Sequence, residues 1–189
     1  METSIPLARL HADIESRVQA IRADHPQWPC GKGCAGCCRR LADVPQLTAQ
    51  EWDLLRAGLA TLPAERLGQI SRDLAALADQ REPPVVCPLL DQLTDACPVY
   101  AQRPVACRSY GFYVQRDRGL HCGDIEAQVA AGALAGVVWG NHDAIDRQLA
   151  SLGGAHPLTE WFARWQSGKP AAEQYPPARS DGAPPRSEE

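Results

Sequence analysis

Residues 30 to 38 read Cys-Gly-Lys-Gly-Cys-Ala-Gly-Cys-Cys, so Cys30, Cys34, Cys37 and Cys38 fall within nine positions. Small residues fill most of the gaps, which lets the backbone curl and turn several sulfurs inward. Thiolates held that closely repel one another unless a positive charge sits between them. A metal ion or an iron–sulfur cluster supplies one. Adjacent Cys37 and Cys38 cannot easily turn their sulfurs the same way, so the loop reads as half of a clamp. Cys87, Cys97, Cys107 and Cys122, spaced widely downstream, are the candidates for the other half.

The redox state of these thiols depends on compartment. The first ten residues carry Glu2, Pro6 and Arg9 and lack the apolar run that export needs. The longest apolar stretch, Val129 to Trp139, is interrupted by glycines and too short to span a bilayer. The expected location is therefore the cytoplasm, with no membrane partner. Clustered cysteines there mean metal or redox chemistry more often than a disulfide framework. A net charge of -4 and a pI near 5.7 argue against a general nucleic-acid binder.

Along the chain, Leu10, Ile14, Val18 and Ile21 recur at helical spacing and predict a helix from Ile5 to Ala23, stopped by His25-Pro26. His11 and His25 are expected at its surface or boundary. Thr48-Ala-Gln-Glu51 is a capping box that opens a second helix, flanked by Leu47 and Trp52 as a hydrophobic staple. Pro63 suits the first turn of a third, with Leu67, Ile70, Leu74 and Leu77 inward. From Glu82 to Cys122, prolines, aromatics and cysteines replace helical periodicity. Loops are expected there, with a hairpin over Tyr110 to Leu120 turning at Asp117 to Gly119. Further helices are expected after an Asp124 N-cap (through Ile125, Val129 and Ala133), over His142 to Leu152, and over Thr159 to Trp165. The chain thus reads as one mainly α domain over residues 1–167, with an irregular Cys/Pro-rich central segment wrapped around a metal centre. Residues 168–189, rich in Pro, Ala, Ser and charge, read as a disordered tail.

Four readings of the cysteines compete. A disulfide scaffold is disfavoured by the expected compartment and by adjacent Cys37 and Cys38, which bridge each other only with strain. Cys30-x3-Cys34-x2-Cys37 has the spacing of the radical S-adenosylmethionine cluster motif. Here it lacks the alternating strands and helices of that scaffold. A structural zinc site would join Cys34-x2-Cys37 to a pair among Cys87, Cys97 and Cys107, and eight sulfurs could hold two such ions. An iron–sulfur cluster would take four of the eight, and Cys87-Pro88 and Cys97-Pro98 have the Cys-Pro pairing found beside some ferredoxin ligands. Arg39, Arg40, Arg103 and Arg108 are candidates to offset thiolate charge.

Cys34-Ala-Gly-Cys37-Cys38-Arg39, Leu47-Thr48-x-x-Glu51, Cys87-Pro88-Leu89-Leu90-Asp91 and Cys97-Pro98-Val99-Tyr100-x-x-Arg103-Pro104-x-x-Cys107-Arg108-x-Tyr110 follow in that order. Together they resemble the YkgJ-type cysteine-cluster family, a zinc- or iron-chelating domain, over roughly residues 30 to 125. The resemblance implies a metal- or iron–sulfur-binding module with no assigned task. A related module in proteins similar to flagellin lysine methylases makes protein methylation an alternative. The chain shows no Gly-rich strand–turn–helix of the kind that commonly receives S-adenosylmethionine.

Cys38 and Cys107, each beside an arginine, are candidates for low-pKa nucleophiles with His121 or His142 as base. His121 is also a candidate ligand, and Asp91 and Asp95 are expected to be loop carboxylates. The metal reading accounts for more residues. It takes Cys30, Cys34, Cys37, Cys38, Cys87, Cys97, Cys107 and Cys122 as the candidate ligands, either of an iron–sulfur cluster held by four of them and supported by the rest, or of zinc in a structural or interaction module. No motif names a substrate or a protein partner.

Overall fold

The 189-residue chain is seen here as a computed structural model that describes residues 5–77, 80, 83–116, 118–119 and 121–168. Helix α1 (Ile5–Asp24) buries Leu7, Leu10, Ile14, Val18 and Ile21, the expected stripe and one turn more. It ends at the boundary that His25-Pro26 predicts. Strand β1 (Gln46–Thr48) runs straight into α2 (Ala49–Leu59). The capping box forms: the Thr48 hydroxyl accepts the Glu51 amide and Glu51 Oε2 accepts the Thr48 amide at 2.9 Å. The Pro63 carbonyl accepts the Leu67 amide at the start of α3 (Ala64–Leu77), whose Ile70 and Leu74 are buried.

The central segment has more order than its composition predicts. A 3₁₀ turn (Tyr100–Gln102) and helix α4 (Val105–Ser109) lie where loops are expected. The signal for α4 is not local. Pro104 at its N-cap supplies no side-chain cap, and the Val105 amide is instead taken by Glu51 Oε1 at 2.9 Å. The hairpin of strands β2 (Tyr113–Gln115) and β3 (Arg118–Gly119) is present, with Val114 opposite Gly119. Asp117, in its turn, lies outside the described residues.

Helix α5 (Gly123–Ala130) departs from expectation at both ends. Cys122, with extended backbone, occupies the N-cap, and Asp124 falls inside the first turn. The helix stops before Ala133 because Gly132 turns left-handed at φ 75°. Only Ile125 is buried on it, and Val129 is exposed. Strand β4 (Gly140–Asn141) leads into α6 (His142–Ala150), which ends two residues short of Leu152. Strand β5 (Ala155–Pro157) leads into α7 (Leu158–Gln166), which buries Trp161 and Phe162.

Among the described residues, two small sheets tie these pieces together. Strands β1 and β5 pair antiparallel, while β2 pairs with β3 antiparallel and with β4 in parallel. Seven α-helices among the described residues against strands of two or three residues make the chain mainly α. Among the described residues the apolar side chains form two cores. The first joins α2, α3 and α7 to Val99 and the Cys87–Leu90 turn, with Trp52 stacked on Trp161 and the Trp161 indole donating to Leu47 O at 2.8 Å. The second joins α1 to Val105, Phe112, Tyr113 and Ile145. Each fully buried Leu, Ile or Val contributes about 1.5–3 kcal/mol. The cysteine-bearing loops run between the two. No helix among the described residues is long and apolar enough to cross a membrane. Apart from Gly168, the expected C-terminal tail lies outside the described residues.

Candidate metal centre

The first cysteine loop is held from three sides. Arg22, in the last turn of α1, donates to Cys30 O at 2.9 Å and lies over the Phe112 ring. Gly33, at φ 92°, supplies the left-handed residue that curls the chain between Cys30 and Cys34. The Cys87 amide donates to Cys38 O at 2.7 Å, and Leu41 pairs with Val85 in a two-residue bridge. The loop is thereby zipped to the segment that enters Cys87.

Local turns then deliver the remaining sulfurs. The Asp91 carboxylate accepts the Leu93 and Thr94 amides, and Asp91 bridges to Ala96, so the chain doubles back to Cys97. Those amide bonds hold the Asp91 carboxyl below its usual range. Cys107 rides on α4, and Cys122 caps α5. At Gly111, φ 85°, the backbone passes so close to Cys30 that a Cβ would sit 3.0 Å from its sulfur. The Cys30 thiol meets Tyr110 O at 3.7 Å.

All eight cysteines are free thiols. Seven line one cavity of about 90 Å³. Cys122 stands just behind it: a Cβ on Gly36 would lie 3.8 Å from Cys34 Sγ and 3.9 Å from Cys122 Cβ. Cys37 Sγ and Cys38 Sγ are 4.0 Å apart. Among the described residues, no three His, Cys, Asp or Glu side chains are already drawn in around a common metal position. The sulfurs are gathered but not closed.

Their protonation follows from that crowding. Burial, then the charges of Cys34, Cys37 and Cys122, pushes the Cys30 thiol up to about 12. At Cys38 the hydrogen bond shared with Cys37 acts to lower the pKa. The bond with Cys87, burial, and the charges of Cys87 and Cys97 outweigh it and raise the thiol to about 12. Cys37 is raised by its hydrogen bond to Cys38 and by burial, and Cys97 and Cys107 by burial first. Cys107 is partly exposed as a residue, yet its sulfur is enclosed. These soft donors are short of positive charge, and a thiophilic cation fits them by supplying it. The cavity is small for an organic cofactor, whose pockets run from about 300 to 1,000 Å³.

Cys38 and Cys107 are raised rather than lowered, which does not favour the nucleophile reading. At Cys107, burial and the thiols of Cys38, Cys37 and Cys97 outweigh the charge of Arg103, which acts to lower it. Arg108 donates to Arg103 O at 2.9 Å and to Ala101 O, and Arg103 stacks on Tyr100 while donating to Tyr100 O at 3.0 Å. Arg39 pairs with Asp95 on the surface. These guanidiniums brace the backbone that carries the cysteines. His121 is buried against Gly119 and Trp139, with Nδ1 3.2 Å from the Glu126 carboxylate but poorly aligned for a hydrogen bond. His142 Nδ1 faces Asp146 one turn along α6. Sequence reasoning missed Arg22 and Gly111. A basic residue in the last turn of a helix leading to the loop, and a glycine between two aromatics, were the available signals.

A small helical domain with eight free thiols, seven of them lining one narrow cavity, defines a cysteine-cluster protein. The chain belongs to the CxxCxxCC family, described as a "putative zinc- or iron-chelating domain", whose model matches residues 29–123. That span takes in all eight cysteines and half the chain. Comparison with curated proteins and with solved structures finds no match.

Proposed function

We propose that the chain is a metal-binding protein whose cysteine thiolates hold an iron–sulfur cluster or, as the alternative, zinc. The observation that carries this reading is the convergence of a nine-residue loop and a segment some fifty residues downstream on one thiol-lined cavity. The ligands are drawn from Cys30, Cys34, Cys37, Cys38, Cys87, Cys97, Cys107 and Cys122. The two Cys-Pro pairs favour the cluster. When bound, the centre supplies positive charge and crosslinks the two segments, so its least role is structural. The protein's own part is to bring the thiols together, release their protons, and keep them in a narrow, largely apolar cleft. The central segment wraps the centre and takes its order from it. Thiols of this kind work in a reducing compartment, which we take to be the cytoplasm.

Anaerobic purification followed by metal and acid-labile sulfide analysis tests the proposal. Iron with matching sulfide and a broad visible absorption that bleaches on reduction is the expected result. Zinc without sulfide would select the alternative. A protein with neither, whose circular dichroism and melting are unchanged by chelators and dithionite, would sink both.

A further inference from the structure

The cavity that the thiols line is also lined by three arginines, Arg22, Arg103 and Arg108. They reach it from separate parts of the chain: the last turn of α1, the end of the 3₁₀ turn, and α4. Two of them lie over aromatic rings of the same wall. The Arg22 guanidinium carbon is 5.2 Å from the centre of the Phe112 ring, and that of Arg103 is 3.8 Å from the centre of Tyr100. Their hydrogen bonds go only to backbone carbonyls, those of Cys30, Tyr100, Arg103 and Ala101. A guanidinium carries about five N–H donors, so most of theirs stay unused. Among the described residues, no carboxylate pairs with any of the three. Asp95 shares the wall but is taken by Arg39, and Glu15 acts on Arg108 from α1 without pairing with it. All three side chains are half-buried, so solvent still reaches them.

Resting on the metal reading above, we propose that Arg22, Arg103 and Arg108 form a carboxylate-binding rim on the thiol cleft, and that its ligand is a small polycarboxylate chelate carrying the metal ion. A guanidinium braced by a ring and a carbonyl keeps its fork in place, and that fork matches a carboxylate. What lies beneath the rim favours a chelate over a bare anion, since thiols draw a soft ion away from oxygen ligands. The cavity, about 90 Å³, is too narrow for the carrier. The carrier therefore stops at the arginines and only the ion passes inward. The transfer is ligand exchange, with no change of oxidation state. A metal–oxygen bond breaks as a metal–sulfur bond forms, the thiol proton leaves to solvent, and the freed carboxylate stays on the guanidiniums.

The test uses the full chain, stripped of metal, reduced and kept anaerobic. Citrate, titrated by calorimetry at low ionic strength, should bind saturably, and the Arg22→Gln/Arg103→Gln variant should bind it roughly tenfold more weakly or worse. The neutral trimethyl ester of citrate should not bind the wild type. Co²⁺ uptake is then followed by its thiolate charge-transfer absorption, from the citrate complex and from the aqua ion at equal free Co²⁺. The ratio of the first rate to the second should fall in the variant, and an unchanged ratio would overturn delivery by the chelate. No saturable citrate binding would overturn the rim, as would equal binding of the ester, or of citrate by a variant that keeps its helical circular dichroism. Inorganic phosphate binding as tightly as citrate would overturn the carboxylate assignment. Each of these results leaves the metal reading standing, which fails only if the aqua ion gives no absorption. Should the variant not fold, citrate, ester and phosphate on the wild type decide the matter.

Discussion

Glu51 Oε1 accepts the backbone amide of Val105 at 2.9 Å, while Oε2 of the same carboxylate accepts both the amide and the hydroxyl of Thr48. One buried carboxylate therefore caps its own helix, α2, and starts a second, α4, which carries Cys107. The side chain is shielded from water, so each of those donors depends on it.

Replacing Glu51 by Ala leaves those donors buried without acceptors. A loss of about 2–4 kcal/mol is expected, read by chemical denaturation. Glu51→Gln keeps the Oε1 acceptor and should lose less. Because α4 carries Cys107, the Ala variant should also retain less metal, measured by elemental analysis.

Gly111→Ala forces a Cβ into a left-handed residue and to 3.0 Å from Cys30 Sγ and 3.3 Å from Ile125 Cδ1. The backbone term alone costs about 1–2 kcal/mol. The sulfur must also move. Thermal melting should fall, and metal should be lost from the side of the cleft that Cys30 occupies. An unchanged melting point with full metal content would show that the close approach does not matter.

His11 is partly buried on α1, with Nε2 unpartnered, and burial, then Arg108 and Arg103, lowers its pKa from 6.5 to about 4. Its folded value is depressed, so the unfolded chain binds the proton first as pH falls. The contribution is present above 6.5 and is lost progressively as pH falls toward about 4. Allowing for partial exposure, the effect is on the order of 1 kcal/mol. Denaturation curves of the wild type should weaken over that window, and those of His11→Leu should be flatter.

The thiols act with the opposite sign. Cys30 and Cys38 are raised from 9.0 to about 12, so the folded, metal-free protein holds protons that the unfolded chain has released. Their contribution is intact below 9 and is lost as pH rises toward about 12. Metal-free protein should unfold across that interval. Metal-loaded protein should resist it, since bound thiolates have no proton to lose. In the same way, Zn²⁺ affinity should fall as pH is lowered, with protons released on binding.

Much of the scaffold was legible because its signals are local. The α1 stripe, the Thr48–Glu51 box, Pro63 before α3 and the β2–β3 hairpin each depend on residues within a few positions of one another. The miss at α4 has a different cause. Val105-Ala106-Cys107-Arg108-Ser109 has no cap of its own, and its acceptor sits on α2. The arginines were half legible: Arg103 lies close enough to Cys107 and Cys97 to oppose their rise, but adjacency in sequence does not say where its hydrogen bonds, or those of Arg108, are made. Arg103 and Arg108 end on backbone carbonyls.

The sequence by itself determined that this chain gathers thiols, since four cysteines in nine residues leave little else for the loop to do. It also determined the helices on either side of that loop. Only the tertiary structure decided which sulfurs face which. Cys38 faces Cys87 because Leu41 pairs with Val85 and the two loops close in register, and Cys30 turns the other way because Arg22 and Gly111 hold it on the second core. Periodicity and capping act over a single helical turn, whereas the sides of this cleft meet only after two separate apolar cores have packed.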